Sequence, residues 1–305
     1  MHYVISADDL GASRGVTARI LEAADTGLLT SVSAIATGVA VEYGVREAQR
    51  RGLRVSLHLN FVEGRPLSRP GDVPLLVGED GTFRLDFLGL WRATARSRGA
   101  ARAAWKEQLG REMRAQIERL RELVSGDWPV SIDSHLHLHM VPLAFETLLE
   151  LSEDYRFRYV RVLDEPFFLA TEGAGAARNY LGPNLLKHTL LNRLSRPAKR
   201  ALRARRIPYC DRFVGVLFTG NMRTAVAREA LARAARAVPD GIIELLFHPG
   251  RADPAEEQIW PERLLAFREQ YRSPWRDRER ETLCDPDFVS LFDEHRRYAS
   301  PEQSH

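Results

Sequence analysis

HYVISADDLGAS, residues 2–13, is the stretch that decides the fold. A run rich in β-branched residues ends in two adjacent acids, followed by Gly11 to permit a tight bend and Ser13 to cap a helix. That helix is expected from Arg14 to about Thr26, with Gly27 as its stop. TSVSAIATG (30–38) then alternates as a strand, VEYGVREAQRRG (41–52) reads as a helix, and LRVSLHLN (53–60) as a third strand. Farther along, VSIDSH, RYVRVL, FVGVLFTG and IIELLF add strand-like runs, with helical stretches at about 87–124, 143–154, 222–237 and 285–297. About seven strands joined by helical crossovers predict an α/β fold. The architecture expected is a distorted or incomplete TIM-like (β/α) barrel in a single domain, in preference to an open doubly wound sheet.

The polar chemistry sits where these strands end. Asp8 and Asp9 close the first, His58 the third, His135, His137 and His139 follow the fourth, and His248 the last. A β/α barrel gathers such residues at one mouth, where two carboxylates and five imidazoles would suit one hydrolytic metal ion. Each feature alone has a plainer explanation. Asp8-Asp9 could be a polar turn with a helix cap, and His58 or His248 an ordinary packed histidine. Their joint occurrence at strand ends favours a site.

If residues 133–139 stay extended, Asp133, His135, His137 and His139 share one face. At about 3.3 Å per residue, the Cα atoms of His135 and His139 would then lie roughly 13 Å apart. Ligands of one ion must come within about 2.0–2.2 Å of it, so only one or two of the three can bind, the others supporting them or the substrate.

Composition bounds the rest. The 305 residues are 44% hydrophobic, enough for a substantial core, and the net charge is only +3. Nearly all basic residues are Arg, with Lys only at 106, 187 and 199, and a charge this small gives no reason to expect nucleic acid. The chain lacks a basic leader and any long apolar run, which predicts a soluble cytoplasmic protein. Cys210 and Cys284 are far apart and suggest neither a disulfide framework nor a structural zinc site. Residues 60–85, rich in Gly, Pro and Asp, read as a lid or binding loop. No GxGxxG or GxxxxGK fingerprint is present.

ADDLGAS, TSVSAIATG, VSLHLNFVEGRPLS, IDSHLHLHMVP and ELLFHPG, in this order and spacing, resemble the YdjC-like carbohydrate deacetylases, a family with chitooligosaccharide and hopanoid-biosynthesis-associated branches. The likeness covers residues 1–163, fades over 164–212 and resumes at about 213–250. It implies a distorted TIM-like barrel of about 1–295 with a variable insertion at 164–212, a flexible tail at 296–305, and a homodimer. It further implies removal of acetyl groups from N-acetylated sugars with one divalent metal. Asp9, His58 and His135 match the family's metal ligands, and Asp8 matches the position resembling the general base of the wider superfamily.

The implied chemistry suits the residues. Two imidazoles and a carboxylate leave coordination positions open, and a bound ion polarises an acetamide carbonyl and acidifies water. The resemblance implies magnesium, whereas imidazole ligands favour zinc or cobalt. Asp8 is expected as base and His248 as the acid that protonates the leaving amine, with His139 as the other candidate. Asn60, His137, His139 and Arg161 are expected around the pocket as substrate-binding or supporting residues. Competing readings are a histidinol-phosphatase-like phosphoesterase, which would build a multinuclear site, and a non-catalytic sugar-binding barrel.

Residues 173–210 carry nine Arg or Lys and no Asp or Glu, although the whole chain is nearly balanced. Leu185, Leu186, Leu190, Leu191 and Leu194 recur there at helical spacing. The segment 185–206 is thus expected as a basic amphipathic helix, packed on the barrel or acting as a contact with an anionic inner membrane surface, and a phosphorylated or lipid-linked sugar would suit it.

Overall fold

The computed structural model describes residues 2–170, 176–260 and 265–292. Seven strands form one all-parallel sheet: β1 (His2–Leu10), β2 (Ser31–Ala34), β3 (Arg54–Leu59), β4 (Ser131–Ser134), β5 (Tyr159–Val160), β6 (Arg212–Val214) and β7 (Ile242–Phe247). Their order is β5-β4-β3-β2-β1-β7-β6. The sheet curls until its edges meet: Val160 N donates to Pro208 O and Phe213 N to Asp164 O, each at 3.0 Å. This is the distorted TIM-like barrel expected, with β5 and β6 too short to form a ladder with one another.

Helices wrap the sheet as crossovers. α1 (Arg14–Ala24) follows β1, capped by Ser13, whose hydroxyl accepts from Val16 N at 3.1 Å. α2 (Val41–Arg50) follows β2, and Gly11, at φ +90, lets the chain pass it where a Cβ would lie 2.8 Å from Val41 Cα. The stretch expected as one helix at 87–124 is two, α3 (Phe87–Ala95) and α4 (Gly99–Leu123), broken where Gly99 takes φ +50. α5 (Pro142–Tyr155) precedes β5. The irregular excursion expected at 164–212 contains α6 (Ala176–Leu181) and the 22-residue α7 (Pro183–Ala204). α8 (Thr224–Ala237) joins β6 to β7, and α9 (Leu265–Arg272), α10 (Trp275–Cys284) and α11 (Pro286–Ser290) close the described chain. The helix expected over 285–297 is described only as far as α11, and the tail expected at 296–305 lies outside the described residues.

The stretch expected at 60–85 as a lid or binding loop is pinned to α4. Glu112 accepts from Leu67 N at 3.0 Å and Ser68 N at 2.9 Å, Gln108 accepts from Leu75 N at 2.8 Å, and Val73, Leu76 and Phe83 are fully buried.

The barrel interior is not filled by branched apolar side chains alone. Glu244 of β7 accepts from Ser6 Oγ at 3.0 Å, Tyr159 OH at 2.6 Å and Arg161 Nε at 2.7 Å, all of them buried. This polar core is satisfied internally, as buried charge requires, and it points Arg161 at the strand ends above.

Candidate metal centre at the mouth of the barrel

Asp8 and Asp9 would face opposite sides of a regular strand. The β1–β2 register shifts between Ala7 and Leu10, and Asp9 takes φ +74. This left-handed residue, at a cost of about 1–3 kcal/mol, brings both carboxylates to one site.

Asp9 Oδ1 lies 3.1 Å from His135 Nδ1 and 3.6 Å from His58 Nε2. All three side chains are buried, and Oδ1 has no hydrogen-bond partner. An unsatisfied buried carboxylate oxygen facing two imidazole nitrogens is costly in isolation and is what a cation would relieve. The ligand atoms of Asp9, His58 and His135 all fall within 4.8 Å of one another. A second group, Asp8, His58 and Asp133, meets the same criterion, but its oxygens are already taken. Asp133 Oδ1 is bonded to His58 Nδ1 and Oδ2 accepts from Ser33 Oγ at 2.6 Å, while both Asp8 oxygens accept from Arg161, at 2.7 and 2.9 Å. The residues therefore fit one divalent ion at the first group.

The supporting residues orient these groups. Asp133 holds His58 Nδ1, which turns Nε2 toward Asp9. Arg276 of α10 donates to Asp9 Oδ2 at 2.8 Å and to Gly250 O at 2.8 Å. Burial alone would push the Asp9 carboxyl up, but Arg276, with His135 and His248, holds it well below the usual range. Burial likewise opposes a proton on His58, and Asp8, Asp133 and Asp9 together raise its pKa. Glu63 accepts from Trp260 Nε1 at 2.6 Å and Tyr271 OH at 2.7 Å, and its Oε1 lies 3.9 Å from His135 Nε2. Tyr271 stacks on the His135 ring at 6.3 Å and 3°.

Four expected pocket residues have other surroundings. Residues 133–139 do not stay extended: Leu136 and His137 turn left-handed, at φ 52 and 59, so the three histidines do not share a face. His139 doubles back, with Nδ1 2.6 Å from Ser134 Oγ and Nε2 3.0 Å from Arg161 O, which occupies both ring nitrogens and leaves none to protonate a leaving group. Burial pushes its pKa down to about 4. His137 is buried edge-on to Phe213, and burial and then Lys187 hold its pKa well below normal. Asn60 shapes its own loop instead of facing the pocket: Nδ2 donates to Thr37 Oγ1 at 2.8 Å and Glu63 O at 2.7 Å, and Oδ1 accepts from Val62 N at 2.9 Å. Arg161, expected as a substrate-binding or supporting residue, is 1% exposed and its donors go to Glu244, Asp8, Asp133 and Ser33, so it holds Asp8 in place.

His248 emerges from β7 half-buried, with its N–H donating to Glu279 Oε2 at 2.6 Å and its ring edge-on to Trp275 at 5.9 Å. Its charge acts on Asp9. Lys187, half-buried on α7, is drawn by Asp8, Asp9 and Glu165, while burial lowers its pKa to about 8. Sequence reasoning gave no role to Lys187, Glu63, Asp133, Glu244, Arg276 or Glu279. Glu244 carried a signal, a lone acid within IIELLF, whereas Arg276 and Glu279 lie in a helix with no motif.

The family model described as YdjC-like protein matches residues 2–294. The chain belongs to the YdjC-like family. Among its YdjC-like relatives is a Mus musculus carbohydrate deacetylase, 30% identical over 252 residues, covering 81% of this chain and 77% of the relative. A Homo sapiens carbohydrate deacetylase is 31% identical, covering 82% and 75%, and an Escherichia fergusonii chitooligosaccharide deacetylase is 33% identical, covering 47% and 52%. The fold is shared with a crystal structure from Enterococcus faecalis V583 whose name proposes cellobiose-phosphate cleavage, at TM-score 0.67 and 20% identity, covering 96% of this chain and 94% of that one. Among the described residues no helix of this YdjC-like chain is long and apolar enough to cross a membrane.

Proposed function

We propose that this YdjC-like protein is a metal-dependent hydrolase that removes the acetyl group from an N-acetylated sugar. The observation that carries the reading is the unpartnered Oδ1 of Asp9, buried and facing nitrogens of His58 and His135. The relatives named carbohydrate deacetylase supply the substrate class.

Asp9, His58 and His135 would hold one divalent ion, with zinc or cobalt favoured by the imidazoles and magnesium by the family resemblance. Bound there, such an ion would polarise the acetyl carbonyl and acidify the attacking water. Asp8, held by both Arg161 amino groups, takes the proton from that water; the pairing fixes the carboxylate's direction. His248, whose loop is anchored by Glu279, delivers a proton to the departing amine nitrogen. His139 is excluded from that task by its two hydrogen bonds.

The phosphoesterase reading requires several metals. The adjoining Asp8, His58 and Asp133 group is consumed by bonds to Arg161, Ser33 and its own members, which favours a single ion.

The test is a screen of N-acetylated and phosphorylated sugars with protein loaded with zinc, cobalt or magnesium. Acetate release, absent after chelation, supports the reading. Phosphate release without acetate, or no hydrolysis with any metal, overturns it.

A further inference from the structure

We propose that the outer face of α7 and the apolar tip beside its N-terminus form a docking surface for an anionic lipid bilayer, at the rim of the barrel mouth. The inference goes beyond the reading of the metal centre, and its test does not depend on it. Among the described residues seven large apolar side chains are exposed, and four of them fall in one excursion: Phe167 at 56%, Leu169 at 65%, Leu181 at 89% and Leu186 at 68%. The Phe167 ring lies 6.0 Å from Tyr180 and 6.1 Å from His188, which holds this tip against α6 and α7.

α7 itself is two-faced. His188, Leu191, Ser195, Ala198 and Leu202 are buried on one side, at helical spacing. The opposite side exposes Leu186, Arg193, Arg196, Arg200 and Arg203, and exposed Arg205 and Arg206 follow the helix. None of these six arginines has an acidic partner among the described residues. Other exposed arginines, such as Arg69, Arg92 and Arg96, also lack an acidic partner among the described residues, whereas Arg19, Arg111 and Arg114 are paired; what sets this stretch apart is that its arginines are gathered within residues 173–210, which hold no Asp or Glu. An arginine stripe without acids has the charge complementary to an anionic surface.

The apolar tip selects the partner. A phosphate backbone would satisfy the arginines but offers nothing to four exposed Leu and Phe side chains, whereas the headgroup and acyl boundary of a bilayer accepts both. The surface adjoins the mouth, since α7 packs against the His135–Met140 turn at the strand ends and His188 Nε2 lies 3.0 Å from Glu165 O. Docking would thus bring the site to the bilayer with no membrane-crossing helix among the described residues.

The experiment is co-sedimentation of the full chain with vesicles of phosphatidylcholine alone and of phosphatidylcholine with phosphatidylglycerol. Pelleting with the anionic vesicles only, weakened by salt, is expected. The variant R193Q/R196Q/R200Q/R203Q should lose about fivefold in partitioning per arginine, and L181S/L186S should also bind less tightly. Both variants should keep the circular dichroism and thermal midpoint of the parent, because every changed residue is exposed. No pelleting with anionic vesicles, equal pelleting with neutral ones, or unchanged pelleting of the arginine variant would overturn the proposal.

Discussion

Arg276 Nη2 lies 2.8 Å from Asp9 Oδ2, so a residue of α10 holds a carboxylate at the end of β1 across 267 positions of sequence. Both partners are buried, and the guanidinium occupies one oxygen of Asp9 while the other faces His58 and His135. Arg276→Lys cannot span both Asp9 and the Gly250 carbonyl. It should weaken divalent-ion affinity by about 10–100-fold, measured by titration calorimetry, with circular dichroism unchanged. Arg276→Ala leaves a buried unpaired carboxylate and should cost about 3–5 kcal/mol in urea unfolding.

Asp8→Asn should separate proton transfer from metal binding. Asp8 accepts from Arg161 with both oxygens, and its Oδ2 lies 3.8 Å from His58 Nδ1, on the side of that ring away from Asp9. The variant should bind the ion as the parent does yet lose about 10²–10⁴-fold in kcat, measured by acetate release. Loss of the ion would instead make Asp8 a ligand.

His248→Ala should also retain the ion. A protonated imidazole acid is lost as pH rises, so the parent's activity should fall on the alkaline side and the variant's weaker activity should not. An alkaline limb that persists in the variant would assign the proton donor elsewhere.

Acid stability should depend on His139. Its folded pKa, depressed by burial from 6.5 to about 4, lies below the unfolded value, so the unfolded chain binds more protons between the two. Stability is fully present above about 6.5 and is lost as pH falls toward about 4, by about 3 kcal/mol from this group. His139→Gln should cost stability at neutral pH but flatten the decline, followed as urea midpoint against pH.

The sequence showed the strands because β-branched runs bounded by glycine and helix caps need no tertiary information, and the acids and imidazoles at their ends marked the mouth. What it concealed depends on contacts between distant segments. Nothing in SPWRDR announces that Arg276 turns into the barrel, and Glu63 gains its surroundings only when Trp260 and Tyr271 fold over it. The even spacing of His135, His137 and His139 suggested one extended face, because Leu136 and His137 are residues that seldom adopt left-handed backbone. Arg161 is legible as a residue of the mouth from RYVRVL, but that Glu244 and Asp8 hold its guanidinium inside the barrel depends on strands far apart in sequence.

The central claim is that Asp9, His58 and His135 hold one divalent ion. Metal content per chain, measured after reconstitution and desalting in the parent and in His58→Ala, tests it most directly. One ion per parent chain and close to none in a folded variant is the predicted result. Full occupancy in His58→Ala would contradict it.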